Sequence, residues 1–196
     1  MPRYPPDRWF DYSPFGVPLK GTRFLPLKLP IPLEKAFNIP PHLRFSLNDL
    51  LGHVQSYNQY LACVIDLTYT KYYSTKFLHD NNIRYHKIYV EGHKIPDSKS
   101  VAKFFDLVNE ERKQSPEGMN LLNGIIAVHC THGVNRTGYF ICRYLIDYMK
   151  WDPKDALQEF EYARGHPVER ENYIEDLMSS VDKSKSKVDV EENQSE

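Results

Sequence analysis

The chain has few cysteines, no excess of charge of either sign and no long apolar run, and each shortage excludes a class of protein. Its three cysteines, Cys63, Cys130 and Cys142, form neither a disulfide framework nor a spacing typical of a zinc site. Sparse, unpaired cysteines are typical of reducing compartments, so we expect the nucleus, the cytoplasm or both. With 25 basic and 26 acidic side chains, a strongly basic coat for nucleic acid is excluded, although a local basic pocket is not.

Long apolar segments are missing as well. No stretch reaches the about 20 apolar residues that a membrane helix requires, and residues 1–10 lack the apolar core of a signal peptide, so we expect no membrane association. Hydrophobic residues nevertheless make up 41% of the chain and aromatic residues 13%, which is enough for a packed core.

Composition divides the chain into three segments. Residues 1–22 are rich in proline and aromatic side chains, which forbids a long helix and predicts an extended arm packed on the domain. Residues 23–178 form the predicted domain, and residues 179–196 have almost no apolar content, which predicts a disordered tail. The residues expected to anchor the arm are Tyr4, Trp9, Phe10, Tyr12 and Phe15.

Short apolar stretches alternate with helical periodicity along the predicted domain. The predicted strands span 24–29, 62–68, 83–90 and 124–129. The predicted helices follow N-caps at Ser46 and Ser98, or begin at about Thr137, at Pro153 and at Asn172. Strands that alternate with helices favour an α/β fold with a mostly parallel sheet flanked by helices.

The most informative stretch is VHCTHGVNRTG, residues 128–138. A buried strand ends at His129, five residues separate Cys130 from Arg136, and a helix follows. Residues 130–136, hereafter the anion-binding loop, can turn their amides inward to bind an anion, and the helix N-terminus adds partial positive charge. Such surroundings lower the pKa of a cysteine from about 8.5 to about 3.5–7.5, so Cys130 is a candidate nucleophile. The rigid fork of Arg136 suits two oxygens of a phosphoryl group.

The motif HC-x5-RT resembles the signature of cysteine-dependent phosphatases, which act through a phosphocysteine intermediate without metal or cofactor. The longer segments HCTHGVNRTGY, ICRYLIDY and RGHPVERENYIEDL are similar to the atypical dual-specificity phosphatases that act on RNA 5′ ends. Further likeness covers GTRFLPLK, VIDLTYTKYY and VEGHKIPD, so it spans roughly residues 7–178. The triphosphatase domain of metazoan mRNA capping enzymes is a near relative of this group. The resemblance implies the cysteine-phosphatase fold.

The resemblance also implies roles for individual residues. Cys130 is the nucleophile and Arg136 clamps the phosphate. His129 orders the loop and favours the thiolate, Asn135 braces the loop, and Thr137 donates its hydroxyl to the sulfur when cysteine leaves. Backbone amides come mainly from the other positions of the motif, namely Thr131, His132, Gly133 and Val134.

The general acid is the open question of the predicted site. Asp97 precedes Cys130 by about thirty residues, as the acid does in protein-directed relatives. Asp66, at the end of the VIDLT strand, is the alternative, and each carboxylate could instead be structural. A terminal phosphate leaving group titrates near about 6, against about 10 for tyrosine, so phosphoanhydride cleavage has little need of a proton donor. We therefore expect loss of Asp97 to impair monoester hydrolysis more than RNA triphosphate hydrolysis.

Donors at the rim of the site should hold the remaining phosphates of a triphosphate. Several basic side chains are candidates, although each could be an ordinary surface charge: Arg164, Arg170, Lys71, Arg23, Lys28, His93 and Lys94. Tyr72 or Tyr73 could stack on the first base.

The function implied by the resemblance is that of a polynucleotide 5′-phosphatase. It would remove γ- and β-phosphates from RNA with a 5′-triphosphate or 5′-diphosphate end, as a monomer that could contact ribonucleoprotein or RNA-processing proteins. A protein tyrosine or serine/threonine phosphatase could use the same loop. A scaffold that only binds RNA ends is the third alternative, and the presence of both Cys130 and Arg136 argues against it.

Overall fold

A four-stranded parallel sheet organises the computed structural model, which describes residues 4–113 and 124–179. The strands are β1 (Phe24–Leu27), β2 (Tyr60–Asp66), β3 (Arg84–Lys87) and β4 (Gly124–His129), and their order is β1-β4-β2-β3. Every pairing is parallel, which confirms the predicted α/β fold. The predicted tail, apart from Ser179, lies outside the described residues.

Helices cover both faces of the sheet. They are α1 (Leu47–Ser56), α2 (Lys76–Asp80), α3 (Ser98–Lys113), α4 (Asn135–Arg143), α5 (Pro153–Arg164) and α6 (171–179). A π-helical turn, Tyr144–Tyr148, continues α4. Side chains alternate across β4: Ile126 and Val128 pack with α3 to α6, whereas Ile125 and Ala127 pack with α1, α2 and the arm.

The helix starts follow local hydrogen bonding. Ser46 caps α1 as predicted, and Asp49 completes a capping box with it. Ser98 is not the cap of α3: it is the first helical residue, and the Asp97 carboxylate accepts from the Ser100 amide at 2.8 Å. Helix α4 begins at Asn135, two residues before the predicted start.

The N-terminal segment lies across the second face of the sheet. Trp9 is fully buried, and its indole donates to the carbonyl of Leu29 at 2.9 Å. The ammonium of Lys28 lies 3.5 Å from the centre of the Trp9 ring and donates to the carbonyls of Trp9 and Tyr12. These contacts tie the segment to β1. Within the part of the chain that the structure describes, no helix is long and apolar enough to cross a membrane.

Candidate active site

The anion-binding loop runs from the end of β4 into the first turn of α4, at the carboxyl edge of the sheet. Gly133 adopts a φ of +68°, and a Cβ there would lie 2.1 Å from the carbonyl oxygen of Leu27. Both features require glycine, because any side chain would collide with β1 and would have to adopt the left-handed conformation. The tight packing of the loop on β1 therefore depends on this one residue.

Carbonyl groups of the loop are bound from outside. The carbonyl of Thr131 accepts from the amide of Leu29, and that of Val134 accepts from the amide of Gly138. The carbonyls of His132 and Gly133 accept from the guanidinium of Arg164, at 3.0 and 2.9 Å. Because these four carbonyls are held outward, the intervening amides are free to converge on the centre of the loop.

Cys130 lies at that centre and is buried. Burial alone would raise the pKa of its thiol. The charge of Arg136, the hydroxyl and amide of Thr137 and the amide of His132 outweigh burial and hold the pKa below the usual cysteine value. The Thr137 hydroxyl is buried and has no hydrogen-bond partner of good geometry among the described residues, which leaves it available to the neighbouring sulfur. The site therefore favours a thiolate.

Arg136 is held in position by the two neighbouring strand ends. Its Nη1 donates to the carbonyls of Val90 at 2.9 Å and Leu67 at 3.3 Å, and its Nη2 donates to the hydroxyl of Thr131 at 2.9 Å. These bonds fix the plane of the guanidinium beside Cys130 before any substrate arrives. Such preorganisation suits it to stabilise charge on phosphoryl oxygens.

His129 is fully buried behind the loop, and its two ring nitrogens have different partners. Nδ1 lies 3.1 Å from the carbonyl oxygen of Cys130, which can only accept, so Nδ1 carries the proton. Nε2 then accepts from the hydroxyl of Tyr73 at 2.7 Å. Burial lowers the pKa of His129, although Asp66 opposes this, so the ring is neutral. The ring thus fixes the backbone orientation of Cys130.

Asn135 connects the loop to the segment before α6. Its side-chain oxygen accepts from the amides of Glu169 and Arg170, each at 2.9 Å. Arg170 is thereby placed at the mouth of a cavity of about 190 Å³ above Cys130, with its Nη2 3.4 Å from Nε2 of His93. Among the described residues, the side chains that line this cavity include Arg136, Arg170, His93 and His132, and no Asp or Glu.

Three of the predicted rim cations do not reach the cavity. Arg164 is only 1% exposed and supports the loop from behind, also bonding the carbonyl and hydroxyl of Ser13. Lys28 is buried under the arm, where burial and the charge of Arg164 lower its pKa to about 8. Arg23 lies at the opposite end of the sheet, where it donates to the carbonyls of Gly124 and Glu111. The prediction that these three residues lie at the rim is wrong, because each side chain is buried and donates to backbone carbonyls.

The other predicted rim residues fall into two groups, those that line the cavity and those that do not. Arg170 and His93 line the cavity. Lys94 is exposed and paired with Glu91 at 2.8 Å. Lys71 is exposed and does not line the cavity. Tyr72 packs edge-on against Tyr4 of the arm, and Tyr73 contacts His129, so neither presents a free ring for a base.

Neither predicted general acid lines the cavity above Cys130. Asp97 is exposed at the start of α3, where the backbone hydrogen bond from Ser100 lowers the pKa of its carboxyl. Asp66 is buried, and it accepts from Thr68, Tyr85 and Lys87. Burial would raise the pKa of Asp66, but the charge of Lys87 and the hydrogen bonds from Thr68 lower it. Both carboxylates accept structural hydrogen bonds and both have lowered pKa values, and the assignment of either as the general acid stays a prediction.

One cluster elsewhere has the donor types of a metal site. The ligand atoms of Cys63, His86 and Glu111 lie within 4.8 Å of one another, away from the anion-binding loop. Arg84 already binds both carboxylate oxygens of Glu111, and His86 Nε2 lies 2.8 Å from one of them. Burial raises the pKa of the Cys63 thiol well above its usual value. The carboxylate is neutralised by arginine, so these residues do not fit a metal ion.

Arg164 and Tyr73 were predicted to contact substrate, and their supporting roles behind the loop were missed. Arg164 follows Phe160 by one helical repeat on the buried face of α5, and that periodicity was the signal that it points inward. Tyr73 gave no such signal, because it lies in an irregular segment between β2 and α2.

Comparison with known proteins agrees with this geometry. The family model described as "Dual specificity phosphatase, catalytic domain" matches residues 48–183. The RNA/RNP complex-1-interacting phosphatase of Bos taurus is 46% identical over 88% of this chain and 51% of its own length. A tyrosine-protein phosphatase of Autographa californica nuclear polyhedrosis virus is 36% identical over 88% of this chain and 98% of its own length.

Solved structures give the same fold. The crystal structure of PTPMT1 in complex with PI(5)P superimposes with a TM-score of 0.58 at 17% identity, over 84% of this chain and 94% of that one. The chain spans about half the length of the first curated relatives that it matches. With its loop, its thiolate and its family match in agreement, the chain belongs to the dual-specificity phosphatases, in the atypical branch of the RNA/RNP-complex-interacting phosphatases.

Proposed function

We propose that the chain removes the γ- and then the β-phosphate from RNA 5′ ends. The observation that carries this proposal is the lining of the cavity, which holds cations beside Cys130 and, among the described residues, no carboxylate that could donate a proton. A cleavage that depends on protonating the leaving group is poorly served by such a site. A cleavage that expels a phosphate oxygen is well served.

The chemistry follows from the positions of the side chains. The Cys130 thiolate attacks the terminal phosphorus, so an S–P bond forms while the bond to the bridging oxygen breaks and that oxygen leaves with the electron pair. Arg136 and the loop amides bind the three equatorial oxygens as charge builds up. Water then attacks the phosphocysteine, and the Thr137 hydroxyl stabilises the departing sulfur. Free phosphate and a resting thiolate result.

The leaving group decides how much a missing acid matters. A terminal phosphate oxygen titrates near about 6, against about 10 for a tyrosine phenol, so the phosphate is far more stable as a departing anion. Hydrolysis of a phosphotyrosine peptide in this site lacks the proton that the phenolate needs. The positions of Asp66 and Asp97 thus support a phosphoanhydride substrate.

The rim supports a second phosphate. Once the terminal phosphate occupies the loop, the next phosphate lies at the mouth of the cavity, where Arg170 and His93 stand. The product with one phosphate fewer can re-enter the loop in the same way, which makes two successive cleavages possible. The partner is accordingly an RNA end, alone or within a ribonucleoprotein.

The test is a comparison of kcat/KM on three substrates: 5′-triphosphate RNA, 5′-diphosphate RNA and a phosphotyrosine peptide. We expect the RNA values to exceed the peptide value by at least about tenfold, since poor leaving groups depend on acid catalysis worth about 10²–10⁴. The Cys130→Ser variant should lose all three activities, and Cys142→Ser is the matched control in the same region. A higher value for the peptide would overturn the proposal and indicate a protein phosphatase.

A further inference from the structure

Two exposed tyrosines stand beside the active site and have no part in the chemistry described so far. Tyr69 is 62% exposed and Tyr89 is 53% exposed. Tyr69 lies in the segment that follows β2, and Tyr89 in the segment that follows β3. Since β2 and β3 are neighbouring parallel strands, these two segments leave the same edge of the sheet side by side.

The two segments are also tied to the catalytic arginine. The Nη1 of Arg136 donates to the carbonyls of Leu67 and Val90, which lie two residues before Tyr69 and one residue after Tyr89. A single nitrogen thus holds both segments against the anion-binding loop. Farther along the second segment, Gly92 and His93 line the cavity itself. Neither tyrosine lines the cavity itself, but both lie on segments that Arg136 holds beside it.

Lysine side chains accompany the two rings. The ammonium of Lys87 lies 5.1 Å from the centre of the Tyr89 ring and donates to the carbonyl of Thr70 at 3.0 Å. Lys103 donates to the carbonyl of Lys87 at 3.1 Å. Two of the lysines are paired with acids: Lys94 pairs with Glu91 at 2.8 Å, and Lys87 pairs with Asp66 at 2.9 Å. Exposed aromatic rings interleaved with cations are the combination that binds single-stranded nucleic acid.

We propose that Tyr69 and Tyr89 form a stacking platform for the first bases of the RNA, an inference that rests on the proposed function. The phosphates enter the loop, and the bases that follow lie on the two rings while Lys71, Lys94 and Lys103 face the backbone. Stacking requires bases that are splayed out of a helix, so the platform selects a single-stranded 5′ end over a blunt duplex. It takes the place of the stacking expected from Tyr72 and Tyr73, whose rings are occupied.

Binding is tested with the full chain carrying Cys130→Ser, which cannot turn over. The probe is a 5′-triphosphate RNA of about ten nucleotides with 2-aminopurine at the second position, whose fluorescence falls when the base stacks. We expect quenching on binding, loss of the quenching in Tyr69→Ala and Tyr89→Ala, and its retention in Tyr69→Phe and Tyr89→Phe. Tyr162→Ala is the matched control, because Tyr162 is 80% exposed on α5. Quenching that survives both alanine substitutions would overturn the platform.

Turnover separates this inference from the proposed function. In the active protein, the ratio of kcat/KM on single-stranded 5′-triphosphate RNA to kcat/KM on inorganic tripolyphosphate should fall about tenfold in the Tyr69→Ala and Tyr89→Ala variants, in line with the loss of one stacked base. The unsubstituted protein should also prefer the single strand to the blunt duplex. An unsubstituted protein inactive on every RNA end refutes the proposed function. An active one whose ratio is unaffected by both substitutions refutes the platform alone.

Discussion

Arg164 donates through Nε to the carbonyl of Gly133 at 2.9 Å, from the side of the anion-binding loop that faces away from substrate. Its Nη2 reaches the adjacent carbonyl of His132, and its remaining donors reach Ser13 in the arm. One buried guanidinium therefore turns two successive peptide groups and connects the loop to the N-terminal segment. It is a positioning residue, because it acts on substrate only through the amides that it orients.

Arg164→Lys should impair catalysis more than its retained charge suggests. A lysine has no planar fork and cannot serve the carbonyls of His132 and Gly133 and the groups of Ser13 together. We expect kcat to fall about 10²-fold, which is the loss typical of one misplaced oxyanion donor, with a smaller change in KM. The apparent pKa for alkylation of Cys130 should rise, because the loop amides no longer point at the sulfur. If Arg164 had a structural role alone, the substitution would lower the stability of the protein and leave the pH profile of alkylation unchanged. Arg112→Lys, at the far end of α3, is the control.

The three cysteines should differ sharply in reactivity. The pKa of Cys130 is held below the usual value, whereas burial raises the pKa of Cys63 and of Cys142. Iodoacetamide should modify Cys130 first, with loss of activity and with protection by inorganic phosphate. Between pH 8.5 and 6.5 its rate should fall much less than the about fifty-fold expected of a free thiol. Peptide mapping after brief treatment shows which cysteine is labelled first. Labelling of Cys142 before Cys130 would contradict this prediction.

Asp97 should act as a helix cap and not as a proton donor. Asn accepts the same hydrogen bond from Ser100, so Asp97→Asn should preserve both stability and RNA hydrolysis within about twofold. Asp97→Ala should lower the melting temperature, as the loss of a cap does. Thermal melts and steady-state rates measure both effects. If Asp97→Asn lost monoester hydrolysis while its melting temperature stayed the same, the carboxylate would be the acid after all.

Glu111 should make stability depend on acid pH. Burial would raise the pKa of Glu111, but the hydrogen bonds and charges of Arg84 and His86 lower it to about 2. A carboxyl with a lowered pKa stabilises the fold above its ordinary value of 4.5, and that contribution is lost as the pH falls toward about 2. Glu111→Gln should cost about 2 kcal/mol at pH 7, a value reduced for the partial exposure of Arg84.

The same variant should approach the unsubstituted protein as the pH falls. Urea unfolding at pH 7, 5 and 3.5 measures the difference, and it should shrink between pH 4.5 and 3.5. Glu110→Gln, at the exposed neighbouring position of α3, should show no such convergence. If the difference in free energy of unfolding did not change with pH, the effect of Glu111→Gln would come from packing and not from charge.

Some predictions succeeded because their cause is local in the chain. The strand at 124–129 is a run of apolar residues too short for a helix, and the structure has it with those bounds. The cap at Ser46 needs only the residue three positions later. The prediction placed the cap of α3 at Ser98, whereas the structure has it at Asp97. The two residues are adjacent, and both residue types can accept a hydrogen bond from a helical amide.

The sequence by itself determined the family and predicted the nucleophile and the arginine, because the anion-binding loop is one continuous stretch whose chemistry depends on residue type and spacing. Only the tertiary structure decided which cations face the cavity. Arg164, Lys28 and Arg23 look like free charges in the sequence, yet each lies among carbonyls contributed by segments distant in the chain. Burial of a guanidinium or an ammonium depends on those distant partners, which the local sequence does not show. The tertiary structure buries these three cations and places Arg170 and His93 at the rim.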